Sequence, residues 1–230
     1  MNVLLIGHNV FADALSAFFQ RLGHSVNNIP AASFLENPAA GDETDYLIEA
    51  EPSSVALKQL VIHALPRGKP ILSLVTNACT TLVASWARTP GTVAGCVWVP
   101  PLSATMPVVE LARAMQTNDE SFTAAQQFWA GLGCSATVVE DGPGLVRMRI
   151  LCCVINEAIT ARADGVATAS DIDLAMRLGT NYPQGPLAWG RALGLDVVLA
   201  TMQALFDEFG EDRYRPCPLL KRLVLSGQTI

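Results

Sequence analysis

Short, unbroken apolar runs alternating with helical patterns constrain this chain more than any other feature. Val3–Ile6, Tyr46–Ala50, Ile71–Val75, Val93–Val99 and Thr137–Val139 each read as a strand buried on both faces. Phe11–Leu22, Ser54–Leu65 and Ser121–Leu132 read as helices between them. A strand with no polar face needs cover on both sides, and an intervening helix supplies it by a parallel crossover. The expectation is an α/β domain with a doubly wound, mostly parallel sheet. Half of the residues are hydrophobic and 16% are charged, which suits a chain with a sizeable core and not a disordered one.

The pattern changes at "EDGPG", residues 140–144, and only helices follow. This places an α/β domain at 1–141 and a helical domain at 142–230. Leu145–Asp164 sets Leu151, Val154, Ile155, Ala158 and Ile159 on one apolar face and stops at Gly165. Ser170 with Asp173 reads as a capping box for a helix ending at Gly179. "NYPQGPLAW" reads as a loop and a short helix. Asp196 is expected to cap Val197–Phe209, with Gly210 as its stop, and Pro218 to open a last helix ending near Gly227.

Other features narrow the partners. The net charge is −6 and no basic run occurs, which argues against nucleic acid. Thr89–Val109 carries no charge, yet Pro90, Pro100, Pro101 and Pro107 would break a membrane helix there, so it reads as buried strand and loop. No signal peptide is read, and a cytoplasmic protein is expected. Cys79, Cys96, Cys134, Cys152, Cys153 and Cys217 form no C-x-x-C pair and have no histidine at ligand spacing. Reduced thiols and no metal site are expected.

The first loop raises a specific question. "VLLIGHNVFADAL" carries a strand into Gly7, where a dinucleotide-binding loop would continue G-x-G-x-x-G. Gly7 keeps the tight turn, and Ala12 is small enough for the third position. Asn9 replaces the second glycine. It tolerates the turn, but its side chain enters the space of a pyrophosphate. The acidic residue that should follow strand two is missing as well: "GHSVNNIP" ends in Pro30, while Asp42, Glu43 and Asp45 lie well beyond it.

The second half carries a family pattern. "PGLVRMRILCCVINEAITARADGVATASDIDLAMRLGTNYPQGPLAWGRALGLD" resembles the C-terminal domain of 3-hydroxyacyl-CoA dehydrogenases. Its markers are the PG, NEA, GVA, DID and AMRLG segments, the P-x-GP loop and GLD. "AMRLGTNYPQGPLAWG" with "RYRPCPLLKR" is more narrowly similar to the degenerate second repeat of two-repeat, phenylacetate-pathway members. "DYLIEAEPSS", "GKPILSLVTNACTT" and "VVEL" extend the likeness into the first half.

The resemblance implies NAD as cofactor, an acyl-CoA substrate, and a catalytic His paired with a Glu. The family's G-L-H-F-F-N-P is here Gly95-Cys96-Val97-Trp98-Val99-Pro100-Pro101, so Val97 holds the His position and Pro100 the Asn position. Glu110 is the remaining partner carboxylate, as a catalytic remnant or as a solvated or hydrogen-bonded side chain. The S-N-T-S segment becomes Thr76-Asn77-Ala78-Cys79, leaving Thr76 and Asn77 as substrate-binding candidates. The Asn of the family's N-R pair aligns with Met148, and the Arg survives as Arg149. Valine transfers no proton, and loss of a general base costs about 10²–10⁴-fold in rate. His8 and His63 read as surface residues or substitute bases, and His24 as structural. Residues 31–44 are also short where the family has long helices.

Three functions follow from these residues. One is a catalytically degenerate member of the family, forming a homodimer through its helical domain or associating with an intact dehydrogenase. Another is an active NAD-dependent dehydrogenase with altered site residues. The third is an acyl-CoA binding module whose cleft Trp98, Trp189 and Tyr182 could line, although these residues read better as core or loop packing.

Overall fold

The structure, a computed structural model, describes residues 2–100 and 107–230. Strand β1 (Val3–Ile6) is buried along its whole length and pairs in parallel with β2 (Asn27–Ile29) on one side and β3 (Tyr46–Glu49) on the other. Strands β4 (Ile71–Leu74) and β5 (Val93–Val97) continue the parallel sheet. Strand β6 (Val108–Arg113) then runs antiparallel to β5, and β7 (Ser135–Val138) runs parallel to β6. The order β2-β1-β3-β4-β5-β6-β7 puts successive connections on opposite sides of β1. That reversal is the topological switch point, where open α/β sheets bind ligands beyond the carboxyl ends of their strands.

Helices α1 (Val10–Arg21), α2 (Ala31–Glu36), α3 (Val55–Ala64), α4 (Thr80–Trp86) and α5 (Asp119–Gly131) accompany the sheet. The connection after β2 holds only α2 and a 3-10 turn at Pro38–Gly41, in keeping with its short sequence. Three expectations need correction. Strand β6 was not foreseen, because its ends are exposed and Glu110 interrupts its apolar run. Strand β5 stops at Val97 and not at Val99, and β7 starts two residues before Thr137. Of the uncharged stretch, Pro90–Thr92 forms a 3-10 turn ahead of β5, and Pro101 lies outside the described residues. No helix among the described residues is long and apolar enough to cross a membrane.

The helical half comprises α6 (Arg147–Ala163), α7 (Ala169–Thr180), α8 (Pro186–Leu193), α9 (Leu195–Phe209) and α10 (Pro218–Ser226). Helix α6 is central and packs on α8, α9 and α10. Its buried stripe is Met148, Cys152, Ile155, Asn156 and Ile159, at the spacing of one helical face. Leu151 and Val154, expected on that stripe, are half-buried on its flank. The caps also differ from expectation. Thr168, not Ser170, starts α7: its hydroxyl accepts from the Asp171 N–H at 3.2 Å and donates to the Asp171 carboxylate at 2.6 Å. That helix passes Gly179 and ends at Asn181, which takes a left-handed φ of 57°. Gly194, not Asp196, precedes α9, while Gly210 and Gly227 end α9 and α10 as expected.

Hydrogen bonds tie the halves together. Gly144 donates to the carbonyl of Val75 at 2.7 Å, at the end of β4. Within the sheet half, Asp141 at its end accepts from the N–H groups of Thr80 at 2.6 Å and Thr81 at 2.8 Å, which begin α4.

Candidate functional site

The loop after β1 has the backbone of a dinucleotide cradle. Gly7 takes φ 155°, and a Cβ there would lie 2.6 Å from the carbonyl oxygen of Ala50 at the end of β3. Only glycine fits that approach. Ala12 is fully buried in the third position. Asn9 changes the chemistry. Its Oδ1 accepts from the N–H groups of Phe11 at 3.1 Å and Ala12 at 3.2 Å, and its Nδ2 donates to Ala50 at 2.7 Å. Those N–H groups at the start of α1 are the donors an anion would use. The side chain therefore caps the helix from within, and a pyrophosphate does not fit while Asn9 keeps these bonds.

The next helix start is closed in the same way. Glu51 accepts from Ser53 N at 3.1 Å and Ser54 N at 3.0 Å, and Ser54 caps α3 through the N–H of Leu57. Beyond β2 the chain enters α2 at Pro30, with no acid in place to hold a ribose. A cavity of about 370 Å³ remains at the switch point, lined by Asn9, Glu51, Arg191 and Asp196 among others.

The position that the resemblance assigns to proton transfer holds a valine. Val97 pairs directly across from Glu110 between β5 and β6, and Val97 is fully buried. The Glu110 carboxylate is hydrogen-bonded, not solvated: it accepts from Val146 N at 3.2 Å and Arg147 N at 3.1 Å. These groups open α6, where a negative charge is favoured by about 0.3–1 kcal/mol and up to ~2 when partly buried. Glu110 thus anchors the helical half to the sheet. His8, His24 and His63 are all exposed, and His63 Nδ1 lies 3.4 Å from the carbonyl of Trp86.

The remaining candidates separate. Thr76 donates to the carbonyl of Pro52 at 3.2 Å. Asn77, 2% exposed, has no hydrogen-bond partner on either amide atom and lines a cavity of about 710 Å³ facing α9 and α10. Cys79 lines the same cavity. Burial raises its thiol above the usual range, and the charges of Asp141 and Glu208 add to the shift, so it stays protonated near neutral pH. Trp98 is core, the better-suited of its two readings: it is fully buried and donates to the carbonyl of Phe11 at 3.0 Å. The rings of Tyr182 and Trp189 lie 5.2 Å apart, tilted by 55°, beside a cavity of about 430 Å³. Met148 is core, and Arg149 bonds the hydroxyl of Tyr214 while lying over the ring of Phe209.

Several polar residues were missed as functional parts of the fold. Lys58 and Glu49 form an ion pair at 2.6 Å with both side chains fully buried, and Ser73 and the carbonyl of Leu74 complete it. Burial raises the Glu49 carboxyl above its usual range, and Lys58 opposes the shift. In the helical half Asn156 bonds Arg215 and Cys217, and Asp173 accepts from Leu187 N and Ala188 N at the start of α8. A side chain at Gly185 would collide with Asp173, which accounts for the glycine in the P-x-GP loop. Their positions inside the NEA, DID and GP segments were the available signal. Among the described residues no cluster of three or more His, Cys, Asp or Glu is placed to hold a metal.

The sheet with its switch point, faced by a helical half, defines the class: a two-part, Rossmann-like dehydrogenase fold. The comparisons specify the family. The family model for the 3-hydroxyacyl-CoA dehydrogenase C-terminal domain matches residues 144–229. A probable 3-hydroxybutyryl-CoA dehydrogenase of Bacillus subtilis is 34% identical over 206 residues, covering 88% of this chain and 70% of that protein. A 3-hydroxyadipyl-CoA dehydrogenase of Escherichia coli is 42% identical over 118 residues, 51% of this chain and 25% of that protein. The crystal structure of (S)-3-hydroxybutyryl-CoA dehydrogenase from Ralstonia eutropha superposes with a TM-score of 0.74 at 27% identity, covering 98% of this chain and 94% of that one. The chain belongs to the 3-hydroxyacyl-CoA dehydrogenase family.

Proposed function

We propose that this protein is a catalytically degenerate member of its family, acting in acyl-CoA degradation as a structural or regulatory partner. Its partner is an intact dehydrogenase, or a second copy of the chain, engaged through the helical half. The observation that carries this reading is the pair Val97 and Glu110. The site needs a base at Val97 and offers an aliphatic side chain, and the carboxylate opposite is committed to α6. The side-chain cap of Asn9 supports the same reading on the cofactor side. Similarity to the second repeat of the two-repeat enzymes fits a chain that accompanies a working copy.

The test is reduction of acetoacetyl-CoA with NADH by the purified chain, beside calorimetric titration of NADH. The expected result is no turnover and no NADH binding, with Val97→His restoring neither. Co-purification with an intact 3-hydroxyacyl-CoA dehydrogenase from the same cell, or a homodimer by sedimentation, is expected. Turnover at ordinary rates would overturn the proposal in favour of an active enzyme with altered residues. Tight acyl-CoA binding without turnover or partner would favour a binding module.

A further inference from the structure

A cavity of about 650 Å³ lies wholly within the helical half. The last turn of α6, the first residue of α7, the start of α10 and the tail at Thr229 and Ile230 enclose it. That volume is in the ordinary range for small-molecule sites. Leu219, Leu223 and Ile230 give the cavity an apolar wall. Its polar side is cationic. Arg162 and Arg222 both line it, and among the described residues neither guanidinium has a hydrogen-bond or ionic partner. Other arginines of this half are engaged within the chain. Arg147 donates to the carbonyl of Val108, Arg149 to Tyr214 and Arg191 to Asp173, while Arg213 and Arg215 pair with Glu211 and Asp212.

Asp164 also lines the cavity and pairs with neither arginine. Two guanidiniums against one carboxylate leave a single positive charge, in a chain whose net charge is −6. A guanidinium fork matches a carboxylate through two parallel N–H···O bonds. A monoanion balances the excess charge, whereas a dianionic phosphate exceeds it and is repelled by Asp164.

We propose that this cavity binds a monocarboxylate with a short apolar body, the head on Arg162 and Arg222 and the body against Leu219, Leu223 and Ile230. None of these residues lies in the sheet half, and binding here requires no family reaction.

Calorimetry on the full chain tests the site with hexanoate, hexanol and hexyl phosphate. Hexanoate is expected to bind, and the other two about tenfold more weakly or less. Arg162→Gln combined with Arg222→Gln is expected to weaken hexanoate by about tenfold or more, the worth of a charge-assisted hydrogen bond. The melting temperature is expected to hold, since both side chains are exposed and unpaired. Asp164→Asn is expected to tighten hexanoate by removing a like charge. Ala163→Trp, from an exposed position on α6, is expected to block hexanoate by filling the cavity. No hexanoate binding at about 10 mM, well above a millimolar dissociation constant, would overturn the proposal. So would hexanol or hexyl phosphate binding as tightly as hexanoate, undiminished hexanoate binding by the double arginine variant or by Ala163→Trp, or weaker binding by Asp164→Asn.

Discussion

The two halves of the molecule differ in the buried polar groups they leave unpaired. Among the described residues, the buried side-chain atoms without a partner lie on Asn28, Asn77, Thr80 and Trp129, all in the sheet half. In the helical half Asn156 uses both ends of its amide, on Arg215 and Cys217, and Asp173 uses both oxygens on α8. Asn28 lies on β2, and Asn77 and Thr80 follow β4, along the edge where this fold class meets its ligands. Nothing in the structure explains the unpaired nitrogen of Trp129. In the helical half the polar residues of the family pattern have their partners in the chain. At the sheet edge the helix-start donors are held by Asn9, Glu51 and Asp141.

The largest expected effect probes the sheet half, where Lys58 and Glu49 have no route to solvent. Lys58→Met should cost about 3–5 kcal/mol by leaving a buried carboxylate without its counter-charge. Combining it with Glu49→Leu should recover most of that loss. Urea unfolding of the three proteins checks both, and equal stability of the single and double variants would show that the pair is not coupled.

A matched substitution sharpens the contrast. Asn156→Leu should cost about 1–3 kcal/mol or more, because the N–H of Cys217 loses its acceptor inside the protein. The same exchange at Asn77 is expected to be neutral or stabilising. Thermal unfolding of the two variants gives opposite signs if the halves differ as described, and the same sign if they do not.

A pH effect sits at the centre of the helical half. Burial pushes the Cys152 thiol up to about 12. Unfolded thiols ionise near 8.5, so above that pH the unfolded chain holds fewer protons than the folded one, and stability falls as pH rises. The contribution is intact below about 8.5 and is lost through about 12, at about 1.4 kcal/mol per pH unit. Cys152→Ala should flatten urea-unfolding stability across that window relative to the parent.

Much of this was legible in the sequence, for identifiable reasons. Strand β1 is an unbroken apolar run, and β3 and β4 each carry a single polar residue, Glu49 and Ser73, in an otherwise apolar one, which suits strands buried on both faces. The Asn9 side chain at the start of α1 followed from residue type, while Val97 is assigned to the base position by the resemblance alone. Strand β6 was hidden because two of its six residues, Glu110 and Arg113, are charged and its ends are exposed, and the helix start that satisfies Glu110 lies 36 residues further on. The caps of α7 and α9 were each placed two residues late, since Ser170 and Asp196 suit a cap as well as a first turn. Trp98 has the composition of a cleft residue and the surroundings of a core one, which only tertiary structure distinguishes.

The smallest expected effect tests whether one residue or several close the sheet edge to a dinucleotide. Asn9→Gly restores the second glycine of the loop and frees the N–H groups of Phe11 and Ala12. Glycine is itself a fair N-cap, so the helix should lose only a few tenths of a kcal/mol, with a little more from the bond to Ala50. The donors are then available, but Pro30 still stands where a ribose needs an acid, and Glu51 still closes α3. NADH binding is therefore expected to stay undetectable by calorimetry in Asn9→Gly alone. If that one substitution produced micromolar NADH affinity, the rest of the cradle would be intact, and the sheet half would differ from the helical half by a single plugged loop.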